Sequence, residues 1–268
     1  MSWLIHALRS GAAEPVRPAA REGLLIAGAG GPLGSAILER ALGLAHWAPV
    51  TALVTRPIDV TLQGLRVLGV DEALDALPPI ASPVPSTALI VFDRDASAHG
   101  REAAFLRPPP SLLPRLAGWL RDAGVRRLLV VLPHAPALLP EALKRGLASL
   151  DEQAVAALGF DQLLIVRPTR AGTAGDDAHF SRLQRLGRAL LAQLHWMVPQ
   201  REQPLRAAKV AQFVIELARL LPGAPDGTRV VPPELLWDWA QPEGGEPLLQ
   251  GWLRHEPLPD AAVPVQRW

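Results

Sequence analysis

Seven residues carry the clearest chemistry in this chain: Gly28-Ala29-Gly30-Gly31-Pro32-Leu33-Gly34. They follow the apolar run Leu24-Leu25-Ile26-Ala27 and open a stretch whose apolar residues (Leu33, Ile37, Leu38, Ala41, Leu42) recur at helical spacing. A strand that runs into glycines, which in turn open a helix, can hold the pyrophosphate of a dinucleotide. The first glycine makes the tight turn. The second lets backbone approach the phosphates, and the third lets helix and strand pack closely. Free N–H groups and the positive end of the helix dipole then hold the anion. Gly28, Gly31 and Gly34 fit G-x-x-G-x-x-G, whereas Gly28 and Gly30 begin G-x-G-x-x-G with the third glycine one residue late. The alternative is a glycine-rich turn that holds nothing.

The choice of dinucleotide is read at the end of the next apolar run, Val54-Thr55-Arg56-Pro57, where no acid appears before Asp59. An acid would bind both ribose hydroxyls of NAD, whereas a basic residue accommodates the 2′-phosphate of NADP. Arg56 can pair with phosphate bidentately, so NADP(H) is favoured over NAD(H). Phe92 and Asp93 end a later run and are expected to line the adenine or nicotinamide side.

The elements that must position these residues alternate along the chain. Strand-like runs cover residues 23–27, 50–55, 65–70, 87–92, 127–132 and 162–166, with helical patterns at 33–44, 112–123 and 141–158. Strands separated by helices predict a parallel sheet covered on both faces. Such strands are continuously apolar, as Leu128-Leu129-Val130-Val131-Leu132 is. The expectation is an α/β fold of Rossmann type, a doubly wound parallel sheet with a small C-terminal substrate or lid region. Residues 1–20 read as a helix and linker, 21–168 as the NAD(P)-binding core, and 169–268 as a smaller part completing it, with a Trp- and Pro-rich tail of little helical period.

Composition removes other chemistry. The 268 residues include no cysteine, which excludes disulfides, thiolate metal sites and cysteine nucleophiles, and no tyrosine. Of 27 basic residues only Lys144 and Lys209 are lysines. A net charge of +1 argues against a general nucleic-acid or anionic-membrane binder. No run approaches the ~20 apolar residues of a membrane span, and the N-terminus lacks the pattern of a signal peptide, so a cytoplasmic protein is expected. Asp176, Asp177 and His179 have no assignable third ligand, and no metal site is expected.

The chain resembles the atypical short-chain dehydrogenase/reductase family, its NmrA-like members in particular, over about residues 22–220. Residues 27–34 resemble that family's TGATGxxG, and Arg56 stands where members often carry a basic residue. Residues 116–128 are similar to the family's helix and AGV(K/R)R approach to the fifth strand, and 158–168 to its LGF…RP strand. Leu205-Arg206-Ala207-Ala208-Lys209-Val210-Ala211 is similar to a further family segment. The resemblance implies a nicotinamide dinucleotide, an adenine contact from Asp71, and catalysis by Ser, Tyr and Lys. This chain departs at that catalytic set. Lys144 falls near the tyrosine position, Ala148 near the lysine position, and Leu132-Pro133-His134-Ala135 replaces the serine segment. His134 and Lys144 are the candidate replacements, an imidazole titrating near pH 6.5 serving as general acid. Two functions follow: an NAD(P)H-dependent reductase, or a non-catalytic NADP(H)-binding sensor or scaffold with a small-molecule or protein partner.

Overall fold

The computed structural model describes residues 22–58, 62–93, 103–132, 146–168, 207–242 and 244–255. Its sheet is built from β1 (Leu24–Ala27), β2 (Val50–Val54), β3 (Leu65–Gly69), β4 (Thr87–Val91), β5 (Arg127–Val131), β6 (Gln162–Val166) and β7 (Gly227–Val231). The order is β3-β2-β1-β4-β5-β6-β7, and every pairing is parallel. β1 pairs with β2 on one side (Leu24 with Val50) and with β4 on the other (Leu24 with Thr87). The order therefore reverses at β1, the topological switch point where such sheets bind ligands. The first six strands lie within a residue of the apolar runs.

Among the described residues four helices cover the sheet: α1 (Pro32–Gly43), α2 (Leu113–Asp122), α3 (Leu150–Ala157) and α4 (Ala207–Leu220). α1 and α4 pack on one face, where Ile37, Leu38 and Ala41 meet Val210, Phe213 and Val214 over Leu24 and Ile26. α2 and α3 cover the other, where Leu116, Leu120 and Val155 pack over Leu25, Ile90 and Leu128. Alternate residues of each strand thus enter different cores, which is why the strands read as unbroken apolar runs.

Two connections lack the helix that parallel crossovers ordinarily carry. The described residues between β2 and β3 contain none. The proline-rich stretch between β3 and β4 instead lays Leu74, Leu77, Ile80 and Val84 onto the core as extended chain and turns. Edge strand β3 is consequently half-covered, and Val67 stays 45% exposed.

The C-terminal region differs from the sequence expectation. Besides β7 it holds α5 (Pro233–Ala240) and α6 (Glu246–Leu253). Each helix has only eight residues, too few for a period to show, and each carries an early proline that reads as a loop signal. Trp239 packs edge-on against Phe213 with centroids 5.3 Å apart and closes the α4 side of the core. Of the helical pattern expected over 141–158, residues 141–145 lie outside the described residues and 146–149 are not helical; α3 begins behind Ser149, whose Oγ accepts from the Glu152 N–H. Glu152 returns the favour by accepting from the Ala148 N–H at 2.6 Å, a variant of the capping box. The same carboxylate meets the Arg167 guanidinium at the end of β6, and both side chains are buried. The N-terminal helix and linker lie outside the described residues.

Truncating Glu152 takes the buried carboxylate from Arg167, which keeps the Gly146 carbonyl at 2.9 Å. Glu152→Ala is expected to lower unfolding free energy by about 3 kcal/mol, measured by urea denaturation. A loss below about 1 kcal/mol would place this pair among the weak exposed ones.

Candidate functional site

α1 begins at Gly31, which offers no side chain to cap it, and its first helical residue is Pro32. Proline has no N–H, so the next two amides, of Leu33 and Gly34, are the ones a phosphate would take. Both are already bonded. The Leu33 and Gly34 N–H groups donate to Asp93 Oδ2, at 3.0 and 2.9 Å. Asp93 follows Phe92 just beyond β4, so the switch point of the sheet delivers a carboxylate onto the helix N-terminus. Two charge-assisted bonds and the helix dipole favour this placement.

A second segment shuts the loop from the side. The Gly30 N–H donates to the Leu106 carbonyl at 3.3 Å. The Leu106 N–H donates to Leu53, the Thr55 N–H donates to Ala104, and Phe105 bridges antiparallel to Val54. Residues 104–106 therefore run alongside the end of β2, between it and the glycine loop.

The glycines are accounted for by these neighbours. A Cβ on Gly31 would lie 2.3 Å from Asp93 Oδ2, and one on Gly30 would lie 2.5 Å from both Arg107 Cγ and the Phe105 carbonyl. Gly28 has φ +107°, and a Cβ there would lie 2.0 Å from the Val91 carbonyl. On Gly34 a Cβ would meet the Gly28 carbonyl at 1.9 Å. The cradle that keeps Cβ atoms away from a pyrophosphate here keeps them away from the protein's own atoms.

Burial pushes the Asp93 carboxyl above its usual value, opposed by the amides of Gly34 and Leu33 and, more weakly, by the Arg107 charge. The buried carboxylate is held where an anion is wanted, yet at a desolvation cost.

The remaining expected site residues take separate places. Ala29 and Leu33 are buried in the α1 core, and Phe92 packs in the opposite core with Leu106 and Leu113. Asp71 accepts from the Asp75 and Ala76 N–H groups at 2.8 and 3.1 Å, capping its own turn. Arg56 is exposed on the loop after β2 and shares a pocket with Asp71. His134 and Lys144 lie outside the described residues, as do Asp176, Asp177 and His179. Sequence reasoning places Asp93 at the site but misses its bonds. The available signal is the α1 start itself: a glycine N-cap followed by proline leaves the next amides seeking a distant acceptor, and an acid ends β4.

A pyrophosphate and the Asp93 carboxylate exclude one another, so the residues as arranged do not fit a dinucleotide. The site can bind an anion at α1, and the anion it binds is its own.

Fold and loop define the class: a Rossmann-type α/β protein with its glycine loop at the switch point. A scan of protein-family models gives no match, and a search of curated proteins gives none. Solved structures of similar fold include the Bordetella bronchiseptica enzyme WbmG in complex with NAD, 17% identical, covering 86% of this chain and 82% of that one at a TM-score of 0.44. Another is a Rossmann-fold NAD(P)-binding family protein from Shigella flexneri, 15% identical over 84% of this chain and 96% of that one, TM-score 0.42. A third is UDP-N-acetylglucosamine 4-epimerase from Bacillus cereus, 12% identical over 81% and 82% of the two chains, TM-score 0.44. Among the described residues no helix is long and apolar enough to cross a membrane, and no group of three His, Asp or Glu could hold a metal ion.

A raised carboxyl pKa in the folded state means the native protein binds the proton more tightly than the unfolded chain. Its contribution is then present below the unfolded value, about 3.9, and is lost as pH rises through the folded one. Urea denaturation of wild type and Asp93→Asn across that range should show the wild type losing stability relative to the variant as pH rises towards neutrality. A difference that stays constant or grows with pH would mean that Asp93 is not desolvated.

Proposed function

We propose that the protein is a non-catalytic binding protein of the Rossmann type, which keeps its phosphate cradle shut with Asp93 and takes NADP(H) only in exchange for that carboxylate. One observation carries the reading: the Leu33 and Gly34 amides are both bonded to Asp93 Oδ2. The same amides would receive the pyrophosphate once Asp93 withdraws, with Gly31, whose missing Cβ faces Asp93, giving it room. Arg56 would favour the 2′-phosphate of NADP(H) over NAD(H). When bound, the dinucleotide supplies a hydride-transfer couple. The chain has no tyrosine to move the accompanying proton, and a ligand that must displace a built-in competitor suits sensing or scaffolding better than turnover.

Calorimetric titration of NADPH and NADH into the wild type and two variants tests this. The wild type should bind weakly and prefer NADPH. Asp93→Ala should bind at least about tenfold more tightly, because the closed population is removed. Arg56→Ala should lose the preference. Tight wild-type binding that Asp93→Ala leaves unchanged would sink the closed-cradle reading. Brisk NADPH oxidation of aldehydes, ketones or quinones that is lost in His134→Ala or Lys144→Met would make the protein a reductase.

A further inference from the structure

We propose that Arg107 is the second seat of the Asp93 carboxylate: the glycine loop opens when Asp93 leaves the amides of α1 and pairs with the Arg107 guanidinium. The proposal rests on the closed-cradle reading and names the residue that decides how readily the cradle opens. Two consecutive glycines bring the groups together. The missing Cβ of Gly31 faces Asp93, and that of Gly30 faces the stem of Arg107, whose Cγ and Cδ lie 2.5 and 3.0 Å from where it would stand. An aspartate and an arginine thus lie against neighbouring residues of one loop.

The stem of Arg107 is placed, but its head is not held. Leu106 before it is bonded through both backbone groups, donating to the Leu53 carbonyl at 2.9 Å and accepting from the Gly30 N–H at 3.3 Å. Pro108 after it restricts residue 107 to extended backbone. Arg107 is half-buried, yet no hydrogen bond or ion pair among the described residues engages its guanidinium. In the closed form its charge acts on Asp93 without contact. After the burial that raises the carboxyl pKa and the two amides that oppose it, this attraction is the weakest influence there.

A carboxylate that leaves two amides and a helix dipole needs another partner, because an unpaired charge at a partly buried place is costly. Arg107 reaches the loop itself, whereas Arg56 follows β2, beyond residues 104–106. A guanidinium takes a carboxylate through two parallel bonds, which attraction at a distance does not supply. Arg107 therefore holds Asp93 more strongly in the open form than in the closed one, and only such a difference shifts the equilibrium. Pairing also neutralises the displaced carboxylate, which would otherwise repel an anion entering the cradle.

A double-mutant cycle on the full chain tests this. The probe is inorganic pyrophosphate, and the Gly34 amide resonance, followed by NMR, reads its binding into the millimolar range. Arg107→Gln should weaken pyrophosphate about fivefold in the wild-type background, the upper end for a pair open to water. In the Asp93→Ala background, where no carboxylate needs a seat, the same substitution should cost less than about twofold. Arg107→Lys, which keeps the charge, should bind more tightly than Arg107→Gln, and matching melting curves verify the fold of each variant. Equal weakening in both backgrounds overturns the proposal, since Arg107 would then contact the anion itself. Tighter binding by Arg107→Gln overturns it too, because Arg107 would then favour the closed form, as does an Arg107→Lys variant that binds no better than Arg107→Gln. If Asp93→Ala alone binds pyrophosphate no better than the wild type, the closed-cradle reading fails first and takes the second seat with it.

Discussion

The pair of hydrogen bonds from Leu33 and Gly34 to Asp93 organises the carboxyl edge of the sheet. A parallel sheet gathers its strand ends on one side, and the order reversal at β1 brings the end of β4 beside the start of α1. Any acid placed just after β4 therefore stands within reach of the most anion-hungry groups of the fold. Once it binds them, Gly31 has no room for a side chain, and the chain beyond must return past Gly30 to reach α2. Ala104 and Leu106 make that return as an added layer on β2.

Helix capping and phosphate binding draw on the same donors, which explains why the sequence reads as it does. A glycine that gives way to a phosphate and one that gives way to a carboxylate are the same letter. The strand–glycine–helix junction, the six core strands and two of the covering helices were legible because each is a local pattern of hydrophobic period and turn residues. The closure was not, because it joins residues 60 apart in the chain. The tail was illegible for a different reason. Two-turn helices that open on prolines show neither period nor cap, and α5 and α6 are fixed by burying Leu235, Trp239 and Leu249 against α4. The absence of tyrosine needed no structure, and it limits the proton chemistry of the chain whatever the loop holds.

Closure of this kind has a thermodynamic consequence. A ligand that binds only the open form sees its dissociation constant multiplied by the inverse of the open fraction, so an open fraction of about one per cent weakens binding about a hundredfold. The tethered carboxylate competes at a fixed effective concentration that dilution cannot lower. Burial, however, holds the Asp93 carboxyl above its usual pKa, so the charged plug is under tension with its own surroundings. The bonds to two amides favour the closed form, the desolvation of the charge opposes it, and the balance between these terms sets the open fraction.

The cradle and the pocket at β3 differ in how the chain covers them. In a fully wound sheet the helix after β2 would cover both the edge strand and the space beside Arg56. Here that cover is missing among the described residues, while residues 104–106 fill the space between β2 and the glycine loop. Residues 104–106 thus stand between the phosphate cradle and the end of β2, and the regions on either side differ in character. One is closed, polar and filled by the protein's own anion. The other is open and apolar, with a guanidinium that nothing among the described residues engages. The helix N-terminus thus has its charge satisfied from within the chain, whereas at the sheet edge Arg56 has no internal partner among the described residues.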